Sequence, residues 1–419
     1  MNSSFRITLS LLAAAISLPA LAQGQKVAVK ETTLDKTEIQ EVLDGMSKVV
    51  RNFAFVPGID FKKWDKFVED MRPDLYKSKD QNEFVMKVNT ALMKFGASHI
   101  ALATPKGAVE MRTGKVVGIG FVPELVKDGI LVVDTFPESP AEENGFEPGD
   151  IIIEADGKKP SHVMALRGEV DTSVTIKLKK KDGEIKTLTI KRREFKTKYP
   201  ESITWATPEV GVIKIPSFMQ YDTAQVEKVM SELVDKNAKT CVLDLRGNGG
   251  GYVWALQNLA GYFVKEEQPL GTFINRKSWD KFVAANPAAK ITDLPEVAKN
   301  ETTKVTVKSK RAFFSGQVIV LINGGTGSAS EMMTAAAREI LGAKVVGSQS
   351  AGAVLASTMF PLPKSYMLQY PFEDYVTIKG MRLEGNGVKP DYEAATPRSR
   401  FDVDPGLQIA LKLAKGEKP

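Results

Sequence analysis

Cysteine is almost missing from this chain. Cys241 stands alone, so no internal disulfide can form. Histidine is nearly as scarce, with only His99 and His162. One thiol and two imidazoles are a poor set for a tetrahedral structural zinc site, and neither a metal nor another cofactor is expected. Basic clusters interleaved with aromatics are also lacking. The formal net charge is +6, but runs such as Lys179-Lys180-Lys181 are followed closely by acids. That pattern describes a solvated surface, and no nucleic-acid partner is expected. Past the first residues no stretch is apolar enough to span a bilayer, so no transmembrane anchor is expected.

The first residues are the exception. Arg6 precedes a short apolar run over 7–18, followed by Pro19, Ala20-Leu21-Ala22 and then Gln23. A positive start, a short apolar core and small-x-small before a polar residue predict a signal peptide over 1–22. The expectation is therefore an exported protein, periplasmic or secreted. The whole chain is 43% apolar and 26% charged over 419 residues, the balance of a soluble protein with two or three domains.

Apolar periodicity divides the chain. Over 37–97 apolar residues recur at helical spacing, with Thr37 as the expected N-cap, Pro57-Gly58 as a break and Gly96 as a stop. An N-terminal helical bundle over 23–100 follows. Over 108–195 short β-runs alternate with Pro148-Gly149-Asp150, Asp156-Gly157 and Asp182-Gly183 turns, predicting a separate β-rich domain. From 205 to 395 strands and helices alternate, which predicts an α/β core with a largely parallel sheet. Residues 276–312 are polar and read as an insertion, and 396–419 as a C-terminal helix or tail. Cys241 falls in a buried strand of the core. His162 reads as a surface-loop residue.

In the β-rich segment, Gly118-Ile119-Gly120-Phe121 is a glycine loop running into a strand. Such a loop lets backbone N–H groups converge on a carboxylate beside an edge that can accept an added strand. With Ser139-Pro140-Ala141 and Phe146-Glu147-Pro148-Gly149-Asp150-Ile151-Ile152 in order after it, the segment resembles a PDZ domain. That resemblance implies that Gly118, Ile119, Gly120 and Phe121 bind the C-terminus of a peptide or protein.

Two glycine-rich segments follow buried strands of the core. One is Asp244-Leu245-Arg246-Gly247-Asn248-Gly249-Gly250-Gly251; the other is Asn323-Gly324-Gly325-Thr326-Gly327-Ser328-Ala329-Ser330-Glu331. A serine where a strand turns into a helix exposes its hydroxyl beside free N–H groups, and acyl transfer needs such donors for its oxyanion. Ala329 N–H, with Gly249 or Gly250, could supply them. A dinucleotide loop is disfavoured by the missing last glycine of its fingerprint, and a P-loop by the missing Lys-Ser/Thr end. Simple helix capping by Ser328 stays open at this level.

These segments, with Glu384-Gly385-Asn386-Gly387-Val388-Lys389-Pro390-Asp391, resemble the carboxyl-terminal processing and tricorn-type serine peptidases with an inserted PDZ domain. The resemblance implies that Ser328 is the nucleophile. It also exposes a departure. The processing branch takes its base from a lysine whose position here is Ala353, and neither Lys344 nor Lys364 lies in a matching context. The tricorn-type branch uses a Ser-His pair and a Glu, and Ser98-His99 and Glu384 match these. His99 is then the general base, oriented through Ser98 and Glu384, while Asp244 and Arg246 brace the glycine loop as an ion pair. The expected activity is peptide-bond hydrolysis in protein or peptide substrates, with the PDZ domain either capturing substrate C-termini or gating the site. The alternative is an inactive peptide- or ligand-binding protein on the same scaffold. A homo-oligomer is possible, with 37–95 and the insertion as contact surfaces.

Overall fold

The structure, a computed structural model, describes residues 34–160, 166, 168–197, 199–301, 304–310, 312–397 and 403–419. The leader expected over 1–22 and His162 lie outside the described residues.

Three helices open the described chain, Lys36–Phe53, Trp64–Leu75 and Gln81–Leu92. The first buries Ile39, Val42, Leu43, Met46, Val49 and Val50 along one stripe. Its N-cap is Asp35, whose carboxylate accepts from Glu38 N–H at 2.7 Å. The expected cap, Thr37, lies inside the first turn. A carboxylate just ahead of the helix supplies both an acceptor and a charge that suits the dipole, so the helix starts earlier. The stripes do not close only on each other. They also pack on Leu362, Tyr366, Leu368 and Tyr370, so the helices roof a sheet as well as forming a bundle.

That sheet has no counterpart in the sequence reading. It is five-stranded and antiparallel, running Ala101–Ala103, Met367–Thr377, Gln268–Asn275 and Lys304–Val307, with Ala356–Pro361 also paired to Met367–Thr377. The 276–312 segment belongs to it: its helices Arg276–Ala285 and Leu294–Lys299 cover Ile274 and Val376 with Trp279, Phe282, Leu294 and Val297.

The second sheet of the core is the parallel one. Its strands lie in the order Tyr392–Glu393, Lys344–Gly347, Gln317–Ile322, Thr240–Asp244, Val210–Lys214 and Ser202–Thr207. Only the last pairs antiparallel. Every residue of Thr240–Asp244 is buried, because helices cover both faces. Cys241 and Leu243 point toward helices Thr223–Asp235, Val253–Ala260 and Ala329–Leu341, while Val242 points toward helix Pro405–Ala414. Helix Val253–Ala260 stops at Gly261, short of the apolar run that continues through Phe263.

The β-rich segment forms its own five-stranded antiparallel sheet around Ile130, Val132, Ile152, Val174 and Ile176. The chain enters and leaves it through a two-stranded ribbon, Lys115–Gly118 against Arg193–Lys196. Phe121–Val126 is one of the two edge strands of that sheet. Among the described residues no helix is long and apolar enough to cross a membrane.

Candidate active site

Three loops leave the C-terminal ends of neighbouring parallel strands and meet, the position where open α/β sheets offer a crevice. The loop after Gln317–Ile322 delivers Ser328 at the mouth of helix Ala329–Leu341. The loop after Thr240–Asp244 brings Gly247 to Gly251 beside it. The loop after Lys344–Gly347 brings Ala353, whose carbonyl accepts from Ser328 N–H at 2.8 Å.

Ser328 holds a backbone that side chains rarely adopt, φ 51° and ψ −120°. Non-glycine residues keep such angles only where the surroundings over-determine them. Here the over-determination is visible. Glu331, fully buried, accepts through Oε2 from Ser328 N–H and Ala353 N–H, both at 3.0 Å. Through Oε1 it accepts from Ser350 Oγ at 2.5 Å and Gly352 N–H at 2.8 Å. Burial pushes its carboxyl above the usual range, against the pull of those four donors.

The imidazole comes from the other sheet. Ser98 and His99 precede strand Ala101–Ala103, and Glu384 follows strand Met367–Thr377, to which Ala101–Ala103 is paired. His99 Nε2 lies 3.2 Å from Ser328 Oγ, and His99 Nδ1 lies 2.8 Å from Ser98 Oγ. Ser98 Oγ donates to Glu384 Oε2 at 2.9 Å, and Glu384 also accepts from Ser98 N–H at 3.3 Å and Val354 N–H at 2.8 Å. The direction of each bond follows. A carboxylate has no proton to give, so the Ser98 hydroxyl donates to it. The Ser98 oxygen then accepts from His99 Nδ1–H, and Nε2 is left bare to accept from Ser328. Burial pushes the His99 imidazole down to about 4.

The glycine loop is shaped by a residue the sequence reading passed over. Asn248 is fully buried; its amide donates to Ile215 O at 2.9 Å and its carbonyl accepts from Gly250 N–H at 2.9 Å. Gly250 N–H is thereby engaged, which departs from its expected use as an oxyanion donor. Its need for glycine has another cause. Its φ is +98°, and a Cβ there would sit 2.6 Å from Ser328 Cβ. Among the described residues Gly249 N–H and Ala329 N–H bond to no group, so these two remain as donors beside Ser328.

The other sequence candidates fall as follows. Lys364 is exposed and pairs with Glu41 at 3.2 Å, and Lys344 begins its strand at the end away from Ser328. Asp244 and Arg246 form a two-bond pair, 2.9 and 2.8 Å. Arg246 grips Asp404 as well, at 2.9 and 2.7 Å, and Asp404 caps the C-terminal helix. Burial disfavours charge on Asp244, but Arg246 and Lys214 hold its carboxyl below the usual range. Asp391 accepts from Val345 N–H at 2.8 Å and faces Arg338 at 3.4 Å. In the β-rich domain Gly118, Ile119, Gly120 and Phe121 are buried. Gly120 has φ +88° and accepts from Ser139 Oγ at 2.7 Å and from Phe136 N–H at 3.1 Å. Among the described residues the N–H groups of Ile119 and Gly120 bond to no group.

Residues 209–394 match the model of peptidase family S41, and residues 117–192 match that of a PDZ domain. The chain is similar to a "Probable CtpA-like serine protease" of Staphylococcus haemolyticus, 27% identical over 293 residues. That match covers 68% of this chain and 54% of the relative, so the chain spans about half the length of that protein. A protein of the same description from Staphylococcus aureus is 25% identical over 370 residues, covering 86% of this chain and 68% of the relative. Among solved structures, the photosystem II D1 C-terminal processing protease superposes with a TM-score of 0.51, at 20% identity, over 87% of this chain and 95% of that one. This likeness shows the fold.

Proposed function

We propose that this chain is an exported serine endopeptidase in which Ser328, His99, Ser98 and Glu384 act in line. The observation that carries the reading is the unbroken run of hydrogen bonds from Glu384 through Ser98 and His99 to the Ser328 hydroxyl. A serine attacks only when something takes its proton, and the bare Nε2 is positioned to do so.

In this reading Ser328 Oγ bonds to the scissile carbonyl carbon while its proton passes to His99 Nε2. The carbonyl electrons move onto oxygen, and the oxyanion is met by Gly249 N–H and Ala329 N–H at the positive end of the helix dipole. His99 then gives its proton to the departing amine, the C–N bond breaks, and an acyl-serine remains. Water attacks that ester as its proton goes to His99, the acyl C–Oγ bond breaks to release the carboxylic acid, and His99 returns the proton to Ser328 Oγ. Ser98 and Glu384 keep Nδ1–H occupied, so the ring holds one tautomer throughout.

The PDZ domain adds capture of a substrate C-terminus. Its free Ile119 and Gly120 N–H groups suit a carboxylate, and the edge strand Phe121–Val126 suits strand addition by the residues before it. The amino-terminal pattern over 1–22 supports export to the periplasm or beyond.

A fluorophosphonate probe tests the assignment. The wild type is expected to be labelled at Ser328, with labelling lost in Ser328→Ala and His99→Ala. A wild type that resists the probe but still binds a peptide through its C-terminus would sink the peptidase reading and leave a binding protein.

A further inference from the structure

The loop that carries Gly249 and Gly250 ends in an unusual surface. Immediately after Gly251 come Tyr252 and Trp254, and across from Gly251 lies Met219. These three are 47%, 50% and 43% exposed, although each is large and apolar. Isolated exposed apolar residues need no explanation, but a contiguous group does. The rings of Tyr252 and Trp254 stack with centroids 5.9 Å apart, and Tyr221 meets Trp254 edge-on at 5.9 Å. Tyr221 is itself fixed by its hydroxyl on Asn258 at 2.9 Å and by stacking on buried Phe218.

This platform is continuous with the reacting centre. Phe218 N–H donates to Gly250 O at 3.0 Å, and Tyr252 N–H donates to Phe218 O at 3.1 Å. A Cβ on Gly251 would touch Met219 N at 2.0 Å, so the two segments are in backbone contact. Gly250 in turn lies against Ser328, as its glycine requirement shows. Tyr252 is two residues beyond Gly250, at most roughly 7 Å along the chain. An extended peptide with its carbonyl at Ser328 carries side chains at that range one to three residues from the scissile bond.

We infer that Met219, Tyr252 and Trp254 form a subsite for one large apolar side chain of the substrate, preferably aromatic, within three residues of the cut. The rings are held by neighbours on the protein side and open on the other, so a substrate ring gains stacking and dispersion contacts without the platform having to order itself. The inference rests on the peptidase reading above and names a selectivity of that same site.

The test uses the full chain and a pool of synthetic tetradecapeptides randomised at their central positions, with cut sites read by mass spectrometry. Wild-type cleavage is expected to favour Phe, Tyr, Trp, Leu or Met at one fixed position within three residues of the cut. In the double variant Tyr252→Ala, Trp254→Ala that preference should fall by about tenfold or more, the scale expected for an apolar subsite. Fluorophosphonate labelling of Ser328 should stay within about twofold of wild type, which also reports an intact fold, and Trp254→Phe should retain the preference. Unchanged selectivity in the labelled double variant would overturn the subsite and leave the peptidase standing. Absence of both cleavage and labelling in the wild type would overturn the peptidase reading, and the subsite with it.

Discussion

His99 Nε2 and Ser328 Oγ lie 3.2 Å apart although 229 positions separate them in the chain. No local sequence rule brings them together. The pairing of Ala101–Ala103 with Met367–Thr377 does, by setting the histidine segment against the helix that carries the serine. Removing either partner should abolish fluorophosphonate labelling, whereas Lys344→Ala and Lys364→Ala should label like wild type. Loss of labelling in a lysine variant of unchanged fold would move the base away from His99.

Ser98 is expected to matter nearly as much as the histidine. Its oxygen accepts a hydrogen bond from His99 Nδ1–H, and its hydroxyl donates to Glu384. In Ser98→Ala the ring loses its acceptor and the tautomer with a bare Nε2 is no longer selected. The turnover number should fall by about 10²–10⁴, with a smaller change in KM. Equal activity in Ser98→Ala would show that Glu384 orients nothing.

Acid should be tolerated further than an ordinary histidine allows. Burial places His99 at about 4, so Nε2 stays bare well below neutrality. The rate of probe labelling should hold down to about pH 5 and be halved near about 4; a midpoint near 6.5 would contradict the buried geometry. Stability carries the same signature with a definite sign. The unfolded chain binds the imidazole proton at about 6.5 and the folded chain only near 4, so stability falls as pH drops through that window and is untouched by this group above it. Urea midpoints of the wild type and His99→Gln, compared at the two ends of the window, measure the difference.

Gly250→Ala should lose activity without general collapse. The added methyl meets Ser328 Cβ at 2.6 Å and Ala329 N at 2.9 Å, on a backbone with φ +98°. The combined strain is on the order of 1–3 kcal/mol, and it falls on the nucleophile and its oxyanion donor. Circular dichroism should stay native while labelling drops at least about a hundredfold. Wild-type labelling in this variant would refute the close approach.

Arg246 is the brace most exposed to a conservative error. It makes paired bonds to Asp244 and again to Asp404. A lysine cannot satisfy two carboxylates in a fixed fork. Arg246→Ala leaves a buried carboxylate without its main partner and should cost about 3–5 kcal/mol in denaturant unfolding. Arg246→Lys should recover only part of that.

The parallel sheet was legible because its strands are short apolar runs buried on both sides, and Thr240–Asp244 reads that way without ambiguity. Motifs single out Ser328, His99 and Glu384, and hydrogen bonds through Ser98 join the three. The antiparallel sheet was not. Its longest strand, Met367–Thr377, contains Pro371, which demotes a strand, and Asp374, which is buried only because Arg382 pairs with it at 2.8 Å. Glu331 was missed for a related reason. Locally it is an acid in a first helical turn, while its partners Ser350, Gly352 and Ala353 lie on a loop that only the fold brings near. Asn248 and Asp404 are further cases of polar groups whose roles depend on distant partners.

Ser328 and His99, the proposed nucleophile and proton acceptor, ride on different sheets, and each sheet is internally complete. The separation that decides reactivity is thus set by how two layers seat on one another, not by any ladder within them. In the proposed mechanism, a slide of about an ångström would idle the chemistry while leaving every strand paired.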